Sequence, residues 1–195
     1  MFRRTVLLIA FLLSFCALAP AQMPSSSVKE ITAWPKGWVN INDGWRMKSG
    51  DDPAWAQPVF DDSSWPVVSL AAPVDPPIGF VWYRLHLRFP AGRPAMGLVV
   101  WLPENAYEIF VNGRPVGDAR IGSPLTVHFP AEHFVPLPDG VQDMEFAVRT
   151  QATRYIRLSD GESHPFGFAE VAPAAVARAF AEQRRLDILA GIHDK

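Results

Sequence analysis

The chain has 195 residues, with 18 basic and 20 acidic side chains, a formal net charge of −2 and 12% aromatic residues. So weakly acidic a balance gives no reason to expect nucleic acid as a partner. Its one cysteine, Cys16, excludes an internal disulfide, so stability has to come from packing.

Arg3 and Arg4 form a positive start, residues 5–18 are almost wholly apolar, and Ala19 and Ala21 are small residues where a signal peptidase reads. The sequence predicts a signal peptide over 1–21, cut before Gln22, and a product that is periplasmic or secreted. The apolar run is shorter than the ~20 residues that span a bilayer, so an uncleaved anchor is not expected. Bulky Phe15 stands before Cys16, where a lipoprotein signal carries a small residue, so no lipid anchor is expected either. Cleavage removes Arg3, Arg4 and Cys16, leaving sixteen basic against twenty acidic residues and a net charge of −4. The remainder is enough for one domain with a substantial core.

A leader over 22–37 follows, with serines at 25–27. From Trp34 onward the chain is dense in proline, tryptophan and turn residues and has no long helical period, which predicts an all-β domain. Two aspartate-tryptophan turns come first, one carrying Asp51, Asp52 and Trp55, the other Asp61, Asp62 and Trp65. Asp51 or Asp61 is expected to cap a helical turn, with the tryptophan folding back to plug the sandwich edge. The other reading of four clustered carboxylates is a calcium site. The Asp-x-Asp-x-Asp spacing and ligand glycine of such loops are missing, and no metal is expected.

Residues 80–89 give the clearest strand. Val81, Tyr83, Leu85, Leu87 and Phe89 alternate with Trp82, Arg84, His86 and Arg88, one face apolar and the other basic. Residues 96–102 form a continuous apolar run, as in a strand covered on both faces. A strand at 106–111 then turns through Asn112-Gly113 into 114–116, because that pair accepts the positive φ of a tight hairpin. Further strands are expected at 125–129, 144–150 and 166–171. The expected core contains Tyr83, Leu85, Leu87, Val99, Trp101, Ile109 and Val111, and strands at this spacing favour a two-sheet sandwich.

Taken in order, the two aspartate-tryptophan turns, Trp82-Tyr83-Arg84 on a strand and Val111-Asn112-Gly113 in a hairpin resemble the galactose-binding-like jelly roll. That domain begins glycoside hydrolase family 2 enzymes, and a version of it forms the extracytoplasmic sensor region of bacterial membrane-bound histidine kinases, diguanylate cyclases and PP2C-type phosphatases. The resemblance covers residues 38–171 and implies a jelly-roll β-sandwich with a recognition role. In the hydrolases it implies a domain without chemistry, because the catalytic carboxylates sit on a separate barrel.

No residue set here is expected to be catalytic. Glu104 and Glu108 read as solvated edge residues, and His128 and His133 as a strand residue and a loop residue rather than zinc ligands. No nucleophile elbow, phosphate loop or cofactor motif is present. The candidate ligand-binding residues are Trp82, Arg84, Arg149, Tyr155 and Arg157. An aromatic plate beside guanidinium groups suits a small saccharide or an anionic metabolite through stacking and charge-assisted hydrogen bonds. The competing reading makes the arginines a solvated face and Trp82 core.

Pro173 is suited to the first turn of a helix that continues through Val176, Phe180, Leu186 and Leu189 and is expected to stop near Gly191. Gln183 and Arg184 break its apolar stripe, so deep burial is not expected. The sequence thus divides into a signal peptide (1–21), a leader (22–37), a sandwich (38–171) and a connector helix (172–195). The preferred functional expectation is a periplasmic sensory domain, acting with a membrane-bound signalling partner or further C-terminal domains. The alternatives are a secreted carbohydrate-binding module or accessory domain of a glycoside hydrolase, and a structural docking sandwich.

Overall fold

The computed structural model describes residues 28–32, 37–72, 79–101, 107–116, 133–152 and 168–193. In chain order these hold β1 (Val28–Glu30), β2 (Val39–Asn40), β3 (Asp43–Ser49), β4 (Val67–Ser69), β5 (Gly79–Arg88) and β6 (Met96–Trp101). They continue with β7 (Tyr107–Val111), β8 (Arg114–Val116), β9 (His133–Pro136), β10 (Asp143–Ala152), β11 (Phe168–Pro173) and the helix α1 (Ala174–His193). A single 3₁₀ turn, Pro53–Ala56, lies between β3 and β4.

The strands form two sheets. The larger runs β4-β3-β5-β10-β7-β8, with β1 pairing in parallel beside the end of β5; the smaller runs β2-β11-β6-β9. This is an all-β sandwich with a C-terminal helix. β1 falls inside the expected leader, so the sheet begins ahead of Trp38.

Period-two alternation puts Val81, Tyr83, Leu85 and Leu87 of β5 between the sheets, beside Ile109 and Val111 of β7 and Phe146 and Val148 of β10. Leu98 and Val100 of β6 and Val171 of β11 close the core from the smaller sheet. Asn112 (φ 49°) and Gly113 (φ 74°) make the tight turn from β7 to β8, with Val111 paired to Arg114, as the Asn-Gly pair predicts.

Val99 is fully buried but belongs to a different layer from the one expected. It faces α1 on the outer side of the smaller sheet, with Ala172 and Ala177, and Trp38, Phe134 and Phe180 pack around them. The continuous apolar run of β6 is explained by this two-sided cover. Gly97 permits the close approach, since a Cβ there would lie 2.3 Å from a Phe134 ring carbon and 3.0 Å from the Ala177 Cβ. Ala177 and Ala181 bury one stripe of α1, while Glu182, Gln183, Arg184, Leu186 and Asp187 are exposed. Pro173 ends β11 rather than entering the helix, and α1 passes through Gly191 to His193. Such boundary shifts of one or two residues reflect fraying ends.

β9 is a strand where the sequence suggested a loop at His133. The expected strand at 125–129, His128, Glu104 and the side chain of Trp101 lie outside the described residues.

Candidate functional site

The outer face of the larger sheet carries the polar residues that the sequence drew attention to. On β5 these are Trp82, Arg84, His86 and Arg88; directly opposite on β10 stand Arg149, Ala147, Glu145 and Asp143. β3 places Arg46 across from Arg84 and Lys48 across from Trp82. Two arginines side by side would repel one another. What relieves them is the segment between β3 and β4.

That segment, residues 50–66, lies over the sheet face as a strap. Trp55, Ala56 and Trp65 pack against Trp82 and Ala147, with Phe60 and Phe110 at the margin. Trp55 meets Trp65 and Trp82 edge-on, with ring centroids 5.1 and 6.1 Å apart, and Phe110 stacks on Trp82 at 5.6 Å. The ammonium of Lys48 lies 4.8 Å from the Trp55 ring centre. The tryptophans therefore cover a sheet face rather than plug the sandwich edge.

Each aspartate pair divides its work. In the first turn Asp52 caps the 3₁₀ turn, accepting the Ala54 N–H at 2.9 Å, while Asp51 takes Arg149 in a bidentate pair at 2.6 and 2.7 Å and the Trp82 indole N–H at 3.3 Å. In the second turn Asp61 accepts the Ser63 N–H at 2.9 Å, while Asp62 points inward to the sheet. Of the two expected caps Asp61 plays that part, and in the first turn it passes to the neighbouring Asp52. A loop that needs both a cap and an anchor at one point uses two adjacent acceptors whose side chains leave in different directions.

Arg84 is the hub of the buried cluster. Its side chain is 0% exposed; Nε donates to Asp62 at 2.8 Å, and Nη1 donates to the carbonyls of Trp55 and Gln57. Nη2 reaches the Phe60 carbonyl at 3.4 Å, and Nη1 also touches the Glu145 carboxyl. Arg46 donates through Nη1 to the carbonyls of Ser63 and Trp65 at 3.0 and 2.8 Å and stands 3.6 Å from the other oxygen of Asp62. Between them the two guanidinium groups donate to five strap carbonyls, those of Trp55, Gln57, Phe60, Ser63 and Trp65.

His86 Nε2 lies 3.0 Å from Asp62, so Asp62 receives Arg84 and His86 together while Arg46 stands close by. Burial works against the ionised Asp62, yet the hydrogen bonds from His86 and Arg84, with their charge, hold its carboxyl below the usual range. Glu145 is the opposite case. Burial pushes it up to about 8, with Arg84 opposing the rise and Asp62 adding to it. On the exposed rim the hydrogen bonds from Arg149 lower Asp51.

Of the candidate ligand residues, Trp82 and Arg84 lie together but inside, 1% and 0% exposed, so a ligand in solution meets neither. This face is neither solvated nor open, because the strap gives the larger sheet a second core. Arg149 sits at the rim, 20% exposed, held by Asp51 and Glu108 and lying 4.1 Å from the Phe80 ring centre. Glu108, read as a solvated edge residue, is thus the second partner of Arg149. Tyr155 and Arg157 lie outside the described residues.

Sequence reasoning missed Asp62 and Glu145 as partners of Arg84, and Arg46 as the second arginine beside Asp62. The available signal was Glu145 itself, a carboxylate between Met144 and Phe146 in an apolar strand, which needs a buried cation beside it. Chemically the cluster binds the strap and can hold a proton, but it offers no nucleophile paired with a base. Among the described residues no group of three or more His, Cys, Asp or Glu could hold a metal ion.

No family model matches this sequence. No curated protein matches it. Solved structures do match, among them a glycosyl hydrolase family 2 member from Bacteroides cellulosilyticus, with a TM-score of 0.51 and 17% identity over 69% of this chain and 20% of that one. A beta-glycosidase from Bacteroides vulgatus is similar at a TM-score of 0.51 and 16% identity, over 69% of this chain and 20% of the other. The likeness is one of fold. The chain spans about a fifth of the length of the solved chains it matches.

Proposed function

We propose that this chain is a non-catalytic accessory β-sandwich of the kind carried by glycoside hydrolases of family 2. The observation that carries the reading is the sealed outer face. Trp82 and Arg84, the best ligand platform in the sequence, are spent on holding the strap. The fold likeness to family 2 enzymes, together with the small share of their length that is matched, supports an accessory domain over a complete enzyme.

A shallow concavity of about 160 Å³ between residues 90–93 and 140–142 is small beside the ~300–1,000 Å³ of ordinary ligand sites. Its cation, Arg93, is already engaged by the Pro138 and Val141 carbonyls.

The test is to offer the purified chain a panel of aryl glycosides and, by calorimetry, a panel of saccharides and organic acids. The expected result is no turnover and no heat above dilution. Turnover of any glycoside would overturn the reading. Saccharide binding tighter than about 1 mM, weakened by Arg149→Ala, would replace it with a binding module whose site lies on the rim at Arg149.

The alternative is the sensory reading, in which α1 is the connector. α1 packs through its first two turns and leaves Glu182, Gln183, Arg184, Leu186 and Asp187 facing solvent, as a connector to another domain would. Sequencing the gene beyond the Lys195 codon separates the two. Apolar spans followed by a kinase, cyclase or phosphatase support the sensor, and a family 2 barrel supports the accessory domain.

A further inference from the structure

The two carboxylates of the buried cluster are unequally served. Asp62 faces Arg84, His86 and Arg46 at 2.8, 3.0 and 3.6 Å. Glu145, whose side chain is 0% exposed, has a single charged partner, Arg84 Nη1, which it shares with the Trp55 and Gln57 carbonyls, and its other oxygen receives no hydrogen bond. A fully buried carboxylate served by one shared cation is costly to keep ionised, whereas its protonated form is a neutral group.

Other charges around Glu145 leave the difference in place. β5 contributes Arg84 and His86, the strap contributes Asp62, and β3 contributes Arg46 at the cluster edge. The turn from β7 to β8 brings Asn112 and Gly113, which are uncharged; Asn112 accepts the Glu145 N–H at 2.8 Å. Asp143, two residues away on β10, is occupied by Arg88 outside the cluster. The guanidinium groups are meanwhile solvated by strap carbonyls, so their charge does not depend on Glu145 being ionised.

From this asymmetry we infer that the cluster is a proton-linked clasp: Glu145 carries a proton while the strap is closed, and its ionisation releases the strap from the sheet. In the opened state water reaches Glu145 and its carboxyl titrates in the ordinary range. In the closed state it titrates near 8. Because the closed-state value is the raised one, the protection it gives is complete below the ordinary carboxyl range and is lost as pH rises towards 8. The opening equilibrium should therefore grow about tenfold per pH unit between roughly pH 5 and pH 8, then level off. The lowered value of Asp62 acts on the other side, weakening the strap only in acid.

Hydrogen exchange on the full chain tests this, followed on the strap amides of Trp55, Gln57, Phe60 and Trp65, which donate to strap carbonyls. Exchange is corrected for its intrinsic pH dependence and compared with amides of β10. In the native protein strap protection should fall about tenfold per pH unit over that range while β10 holds. Glu145→Gln cannot ionise and should flatten the profile, although His86 is still present. A flat native profile, or the same slope in Glu145→Gln, overturns the inference.

A second measurement does not depend on the variant folding. Carbon-13 spectra of the glutamate carboxyls in the native protein should show one that titrates near 8. If every glutamate carbon titrates below about pH 6, the clasp is excluded.

Discussion

Ala147 lies directly across the sheet from Arg84, so the smallest side chain of this face stands beside a buried arginine. Both residues are buried, and Ala147 packs with the tryptophans of the strap. Ala147→Leu should push Arg84 off the strap carbonyls and cost about 1–3 kcal/mol by overpacking. Chemical denaturation measures the loss, and a fall in strap protection by hydrogen exchange locates it.

The helix on the other side of the molecule depends on a smaller detail. A side chain at Gly97 would collide with the Phe134 ring and the Ala177 methyl. Gly97→Val should lift α1 from β6 and β11 and destabilise the protein by about 1–3 kcal/mol. Proteolysis is expected to cut the variant first within α1, and an unchanged cleavage pattern would show that the helix is not seated there.

The inner core was legible in the sequence because β5 alternates cleanly and the Asn112-Gly113 turn fixes where its neighbours pair. Tyr83, Leu85, Leu87, Ile109 and Val111 all face it. Leu85→Ala should cost about 2–5 kcal/mol, measured from the shift of the urea midpoint. The outer face was harder to read, since Trp82, Arg84 and His86 have the composition of a wet face. Their burial depends on a strap more than fifteen positions earlier in the chain, and periodicity within one strand carries no information about a distant cover. Arg46, β3 and β4 went unseen for a related reason: β4 has only three residues, and β3 is interrupted by Gly44 and by a register shift between Asp43 and Trp45. Glu145 was the clue available, because a carboxylate in the middle of an apolar strand has to be answered from somewhere else in the fold.

Export remains a proposal from Arg3, Arg4, the apolar run and Ala19 to Ala21. Mass spectrometry of the periplasmic fraction should find a mature chain beginning at Gln22. An intact chain from Met1 in the membrane would refute cleavage.

Arg84 is a buried anchor of the strap rather than a ligand contact, and a double-mutant cycle on Asp62 and Arg84 measures that role. Asp62→Asn and Arg84→Met, each breaking the buried pair at Arg84 Nε, should cost about 3–5 kcal/mol in urea denaturation. The double variant should cost less than their sum by about 1–3 kcal/mol, because the second change removes a charge that the first has stranded. Single variants within about 0.5 kcal/mol of the native protein, with strictly additive effects, would contradict the account and return Arg84 to the surface.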